Sequence, residues 1–209
     1  MTGTSPPPER NLWNARYAGE DYLFGTDPTA FLLREADRLH PGQTALCLAD
    51  GEGRNSVFLA GRGLAVTALD ASEVALTKAQ RLAQTRGVTV TYRLGDAASW
   101  EWDAQAFDVV VAIFVQFAGP DLRDRMLAGM VRALVPGGRL LLHGYTPAQL
   151  ALNTGGPRAI ENLYTTALLR DRLSALTELH LAEYVADLAE GTRHVGRSAL
   201  IEYVGQKPG

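Results

Sequence analysis

An α/β fold built on a doubly wound, mainly parallel seven-stranded sheet is what this sequence predicts, and three observations carry it. Five short apolar runs, 45–49, 65–69, 88–93, 107–114 and 139–143, are bounded by Gly, Asp or Pro and read as buried strands. Amphipathic segments alternate with them, an order that sets a parallel sheet between helices on both faces. Two further runs, 179–188 and 197–204, flank Glu190-Gly191-Thr192 and read as an antiparallel pair closing the sheet, with 197–204 as its antiparallel strand.

At 209 residues the chain has the size of one large α/β domain, and 46% hydrophobic with 21% charged residues excludes a disordered or fibrous protein. Twenty Lys and Arg against 23 Asp and Glu leave a net charge of −3, which gives no electrostatic reason to expect a nucleic-acid or membrane partner. A single cysteine makes no intrachain disulfide, and no Cys/His spacing has the pattern of a metal site, so no metal is expected. No apolar run approaches the roughly 20 residues of a membrane span, and no charged stretch followed by an apolar one opens the chain. A soluble cytoplasmic protein is expected, as monomer or homodimer.

Residues 1–10 (MTGTSPPPER) offer nothing to bury and read as a mobile tail. One domain then covers 11–209, with an N-terminal cap at 11–43, a core at 44–145, and a lid loop with a helix and hairpin at 146–209. Asp27-Pro28 opens a helix carrying Phe31, Leu32, Ala36 and Leu39. Ser72 and Glu73 start another, with Val74, Ala75, Ala79, Leu82 and Ala83 on one face as far as Gly87. In the best helix, 120–134, Leu122, Met126, Leu127, Met130, Val131 and Leu134 repeat at three and four until Pro136-Gly137-Gly138 stops it. Thr165 or Thr166 caps a last helix bearing Leu168, Leu169, Leu173 and Leu176. The stretch 146–163, with Gly155-Gly156-Pro157 and few apolar residues, reads as a lid or binding loop.

Chemistry concentrates where strands end. The first strand runs into Ala49-Asp50-Gly51-Glu52-Gly53-Arg54-Asn55-Ser56 and then a helix, and its glycines allow a tight turn and close approach of a ligand to the backbone. Asp70 ends the second strand, where a carboxylate can accept from both hydroxyls of a ribose. Asp96 follows the third strand in Gly95-Asp96-Ala97, placed for an exocyclic adenine amine. Singly, each acid is an ordinary cap or solvated loop residue; together they outline one nucleoside-sized site. Ser56 occupies the third glycine position of the dinucleotide fingerprint, which counts against a dinucleotide.

These residues resemble the class I S-adenosylmethionine-dependent methyltransferases over roughly 44–145, and more narrowly the tellurite-resistance and thiopurine-type small-molecule methyltransferases. The likeness rests on Gly51-Glu52-Gly53-Arg54-Asn55-Ser56, Ala68-Leu69-Asp70-Ala71-Ser72, Gly95-Asp96, Phe107-Asp108-Val109-Val110 and Leu134-Val135-Pro136-Gly137-Gly138. Trp13-Asn14-Ala15-Arg16-Tyr17 and Phe24-Gly25-Thr26-Asp27-Pro28 resemble that family's N-terminal cover over the cofactor. The resemblance implies a Rossmann-like fold and S-adenosylmethionine as cofactor. It assigns cofactor contacts to Asp50, Gly51, Gly53, Arg54, Asn55, Asp70, Ala71, Asp96, Ala97, Ile113, Tyr17 and Phe24. It further implies in-line methyl transfer to a small acceptor, a thiol, a chalcogen oxyanion or similar. The chain departs from the family at Cys47, where an acid is usual, and at Ala49, where a glycine is usual; Asp50 is the nearest substitute for that acid.

On the acceptor side, Phe114, Gln116 and Phe117 follow the fourth strand, where the resemblance sets residues beside the methyl group. His143 ends the fifth strand and reads either as a base or substrate contact or as a buried structural group. Arg193, His194 and Arg197 enter the last strand, and the resemblance sets such residues toward the acceptor. Arg193 and Arg197 share parity and could present two cations to an oxyanion, with His194 orienting or deprotonating a protic acceptor. As solvated hairpin residues they would only keep an edge strand soluble. Two other classes compete: a nicotinamide-dependent oxidoreductase, opposed by Ser56 and by the lack of a Tyr-x-x-x-Lys pair, and a catalytically silent cofactor-binding protein, which Cys47 and Ala49 would suit.

Overall fold

The computed structural model describes residues 8–209. Its strands are β1 (Thr44–Leu48), β2 (Ala65–Asp70), β3 (Thr91–Leu94), β4 (Phe107–Ile113), β5 (Leu134–Tyr145), β6 (Thr177–Glu190) and β7 (His194–Gln206). They form one seven-stranded sheet in the order β3-β2-β1-β4-β5-β7-β6. Neighbours from β3 to β5 pair in parallel, whereas β7 runs antiparallel to both β5 and β6. The expected sheet and its antiparallel C-terminal strand are therefore present. The helices are α1 (Pro8–Arg16), α2 (Ala30–Arg34), α3 (Arg54–Gly61), α4 (Glu73–Arg86), α5 (Pro120–Ala133), α6 (Gln149–Leu152) and α7 (Thr166–Arg172).

Strand periodicity divides the core between the two faces of the sheet. Ala45 and Cys47 of β1 pack with Phe31 and Leu32 of α2 and Leu59 of α3. Leu46 and Leu48 pack with Met126, Leu127 and Met130 of α5 and with Leu169 of α7. Each fully buried Leu or Met contributes about 1.5–3 kcal/mol. The sheet is thus fixed from both sides, which holds its strand ends still for the loops they carry.

Local chemistry sets the best-defined boundaries. Ser72 Oγ accepts from Ala75 N at 3.1 Å to open α4, and Gly87 at φ 67° closes it. Thr165 caps α7 in the same way. Other boundaries differ from expectation. The cap of α2 is Thr29, whose buried hydroxyl accepts from Leu32 N, and not Asp27-Pro28. This helix stops at Arg34, so Ala36 lies in a separate 3-10 turn, Ala36–Arg38, with Leu39 just beyond it. Residues 88–90 precede β3, because Val88 is held by the end of α4 through its N–H to Ala83 O and packs near Leu82. Pro136-Gly137-Gly138 lies inside β5, since Leu134 already pairs with Phe107 before the register shifts. The stretch 146–163 is not wholly irregular: it contains α6 and a 3-10 turn at Ile160–Asn162. Pro8–Arg10 belong to α1 and not to a tail, while residues 1–7 of the expected tail lie outside the described residues. Among the described residues, no helix is long and apolar enough to cross a membrane.

Candidate active site

The C-terminal ends of β1, β2, β3, β4 and β5 converge on a cavity of about 400 Å³, covered by α1 and by the chain around Phe24. That volume lies within the range of cofactor and small-ligand sites, and strand C-termini are where open α/β sheets bind ligands.

Three left-handed residues form the turn at its base, and two of them, Ala49 and Gly51, line it. Ala49 (φ 47°), Gly51 (φ 62°) and Gly53 (φ 92°) turn the chain from β1 into α3. A Cβ on Gly51 would stand 3.0 Å from the Tyr17 hydroxyl, so glycine lets this aromatic ring close over the loop. Gly53 differs from its expected role: it lies off the cavity wall and seats α3 against α4, where a Cβ would come within 2.6 Å of Ala79 Cβ. Gly53→Ala is expected to cost about 2–4 kcal/mol, from left-handed strain and overpacking together. Urea denaturation measures it, and Ala79→Gly in the same chain should return only part of the steric share, because Ala79 Cα would still stand 2.8 Å from the added Cβ.

The acids sit at the strand ends. Asp70 is 7% exposed; its Oδ2 accepts from Gly51 N and its Oδ1 from Ser72 N, both at 2.8 Å, while burial raises its pKa. These bonds orient the carboxylate, and each oxygen keeps a lone pair for a ligand. Asp96 Oδ1 accepts from Ala98 N at 2.8 Å. Asp50 accepts from Ser56 Oγ and, at 3.2 Å, from Ser56 N. Burial lifts the Asp50 pKa to about 6 against the lowering effect of those bonds. Asp50, Gly51, Asp70, Ala71, Asp96, Ala97, Ile113, Tyr17 and Phe24 all line the cavity. Oriented carboxylates, close-approaching backbone and flanking rings suit an adenosyl group with a charged tail.

Arg54 and Asn55 also border the cavity, but the Arg54 guanidinium and Asn55 Oδ1 are engaged by protein. Asn55 Oδ1 accepts from Thr29 N at 3.1 Å. Arg54 donates to Phe24 O at 3.1 Å and to Glu190 Oε2 at 2.9 Å. Sequence reasoning passed over Glu52, which is 3% exposed. Its carboxylate accepts from Leu23 N at 2.7 Å and from Lys78 Nζ at 2.6 Å, tying the Gly-rich turn to the N-terminal cover and to α4.

The acceptor end combines His194, Tyr145, Phe114 and Phe24. The His194 ring lies 4.4 Å from Phe24 and 4.2 Å from Phe114, and burial lowers its pKa. Its Nδ1 stands 3.5 Å from Glu190 Oε2, beyond a good hydrogen bond, so the carboxylate acts on it through charge and orientation. Phe114 holds φ 57°, a strained backbone that its packing against His143, Tyr145 and His194 maintains. Gln116 is used structurally, its amide exchanging hydrogen bonds with the backbone of Tyr145. The hydroxyl of Tyr145 is buried without a partner among the described residues.

Two candidates do not reach the cavity. His143 is 2% exposed and stacks on Phe31, with Phe114 edge-on between it and His194; burial pushes its pKa down to about 4. Arg197 is exposed and opposes Asp187 in the hairpin. Its carbonyl accepts from Thr154 Oγ1. Arg193 and Arg197 do not share a strand face, because Arg193 lies in the turn before β7 begins at His194, where strand alternation does not apply. Arg193 itself does border the cavity.

A sheet in this order, with its cavity over a Gly-rich turn and an acid ending β2, is the Rossmann-like methyltransferase fold. Residues 45–138 match the family model described as a methyltransferase domain. The cypemycin N-terminal methyltransferase of Streptomyces sp is 31% identical over 140 residues, 66% of this chain; the match takes in 54% of that protein, so the chain spans about half its length. Among solved structures, one described as "Conversion of a Disulfide Bond into a Thioacetal Group during Echinomycin Biosynthesis" superposes with a TM-score of 0.74 at 21% identity, covering 96% of this chain and 92% of that one. The N-methyltransferase NodS from Bradyrhizobium japonicum WM9, in complex with S-adenosyl-L-homocysteine, gives 0.71 at 16% identity over 96% and 98%. Residues 45–138 are therefore a methyltransferase domain, and the fold is that of the class I methyltransferases, whose cofactor is S-adenosylmethionine.

Proposed function

We propose that this protein transfers the methyl group of S-adenosylmethionine to a small-molecule acceptor. The observation that supports this best is the pair of oriented carboxylates, Asp70 and Asp96, in one cavity with the Gly51 turn and the His194 end. The cofactor, when bound, supplies an electrophilic methyl on a sulfonium. Asp70 and Asp96 hold the ribose and adenine ends, and Asp50 faces the amino-acid end in place of the acid usual at position 47. Tyr17 and Phe24 cover the cavity and exclude water, leaving alignment and proximity as the main contributions to rate. His194 is the candidate acid-base group at the acceptor end, with Arg193 at the rim. The family resemblance suggests thiols and chalcogen oxyanions as acceptors to assay, and the Streptomyces relative is named for the N-terminus of cypemycin.

The direct test is calorimetric titration with S-adenosylmethionine, S-adenosylhomocysteine and NADH, followed by an assay of S-adenosylhomocysteine release over an acceptor panel. Binding of the two adenosyl ligands and not of NADH is expected. Asp70→Ala should weaken S-adenosylhomocysteine by about 1–3 kcal/mol, roughly 5- to 150-fold, by leaving ribose hydroxyls unpaired. Asp70→Asn, which keeps the shape and one acceptor, should lose less. Unchanged affinity in Asp70→Ala would remove the ribose assignment.

A further inference from the structure

Resting on that reading, we infer that the acceptor enters with a proton on its reacting atom, carried on an apolar body, and that Glu190 positions His194 to take this proton. The enclosed part of the acceptor end is walled by Phe24, Phe114, Tyr145 and His194. A pre-ionised oxyanion would need a cationic cradle there, and the enclosed cation is already engaged: Arg54 donates to Phe24 O and to Glu190. The other cavity-lining cations among the described residues, Arg16 and Arg193, are exposed, so water screens them.

The charged and titratable groups around His194 come from four elements: Glu190 of β6, Arg54 of α3, Arg16 of α1 and Tyr145 of β5. Arg54 holds Glu190 from one side while His194 Nδ1 approaches the same oxygen, Oε2, from the other. A carboxylate beside Nδ1 favours the Nδ1–H tautomer and leaves Nε2 as the proton-accepting nitrogen. Arg54 keeps Glu190 ionised, its pKa lowered to about 2 by His194 and Arg54 despite burial, so it does not itself compete for the proton. Tyr145 supplies an unpaired donor in the same enclosure.

The acceptor's lone pair forms a bond to the methyl carbon while the carbon–sulfur bond breaks and its electron pair stays on sulfur. The proton of the reacting atom passes to His194 Nε2, the imidazolium is held by Glu190, and its proton is later lost to water. Glu190 never touches the acceptor; it is a positioning residue.

Two measurements test this. Nitrogen NMR of the His194 ring, in the free protein and with S-adenosylhomocysteine, should show protonated Nδ1 and bare Nε2 at pH 7. In Glu190→Gln the imidazole should titrate at lower pH, because an anion that favoured its charged form is gone. Turnover is then compared for 2-naphthol, benzylamine and benzyl mercaptan against tellurite and selenite. Methylation of at least one proton-bearing probe is expected. In Glu190→Gln its rate should fall roughly tenfold or more, with the acid limb of the profile displaced to lower pH and S-adenosylhomocysteine affinity retained. Failure to bind S-adenosylhomocysteine would overturn the methyltransferase reading beneath the inference. Binding with only the oxyanions methylated, or with no proton-bearing probe methylated, overturns the acceptor class. A His194 titration unmoved by Glu190→Gln overturns the positioning role.

Discussion

Replacing Glu52 with Ala is expected to cost about 3–5 kcal/mol of stability, because it strands a buried ammonium. For a chain of this size that corresponds to a thermal midpoint lower by roughly 10 °C. The Lys78 side chain is 7% exposed and that of Glu52 is 2% exposed, with Nζ and Oε1 at 2.6 Å. Asp21 O also accepts from Lys78 Nζ, but a carbonyl does not neutralise the charge. Glu52 additionally accepts from the N–H groups of Leu23 and Phe24, so its loss frees the cover at the point where Phe24 packs on His194. Affinity for S-adenosylhomocysteine should therefore fall along with stability. Glu52→Ala with Lys78→Met should recover much of the stability, since no buried charge remains, but not the affinity, since the cover stays unpinned. Denaturant unfolding and calorimetry on the three variants separate these effects. A single-variant loss of only about 1 kcal/mol, typical of a surface pair, would show that Glu52 is no pin.

The same residue marks where sequence reasoning stopped. Gly51 and Gly53 are legible because a turn from strand to helix demands left-handed backbone, and Asp70 because it ends a strand in company with that turn and with Asp96. Glu52 between them looks like any solvated loop acid, and its role depends on Lys78, 26 positions away, facing it from α4. Boundaries set by neighbouring residues were readable: Ser72 and Gly87 delimit α4 through their own hydroxyl and φ. Where two local signals adjoin, as at Asp27-Pro28 and Thr29, only tertiary contact decides, and the buried Thr29, its N–H on Asn55, prevails. His143 and His194 were both candidates by sequence. The fold separates them by placing Phe114 edge-on to His143 and His194 against the cavity. Glu190 was read only as part of a turn, because its importance arises from Arg54, 136 positions away.

His194→Asn is expected to lower turnover by about 10²- to 10⁴-fold, the range for losing a positioned acid-base group, while S-adenosylhomocysteine affinity stays within about twofold. Burial disfavours the imidazolium, Arg54 and Arg16 add to this, and the carboxylate of Glu190 only partly offsets it, so the ring titrates below its ordinary range. In the native protein, turnover should fall on acidification through a pKa below the usual 6.5 of histidine. His194→Asn should lose that limb, because no group remains there to titrate. Stability should change in the same variant with a sign that is fixed in advance. Since the folded-state pKa lies below the unfolded one, the unfolded chain binds the proton first, and His194 makes the native protein lose stability as pH falls below about 6.5. Asparagine removes that contribution, so the gap in stability between native and variant should narrow or reverse toward acid pH. Arg197→Ala, by contrast, should leave turnover unchanged, because its exposed side chain lies outside the cavity and its contact with Thr154 is made by the backbone carbonyl. If His194→Asn turned over normally with its acid limb intact, the proton would have to leave through solvent, and the acceptor end would be a binding surface without a base.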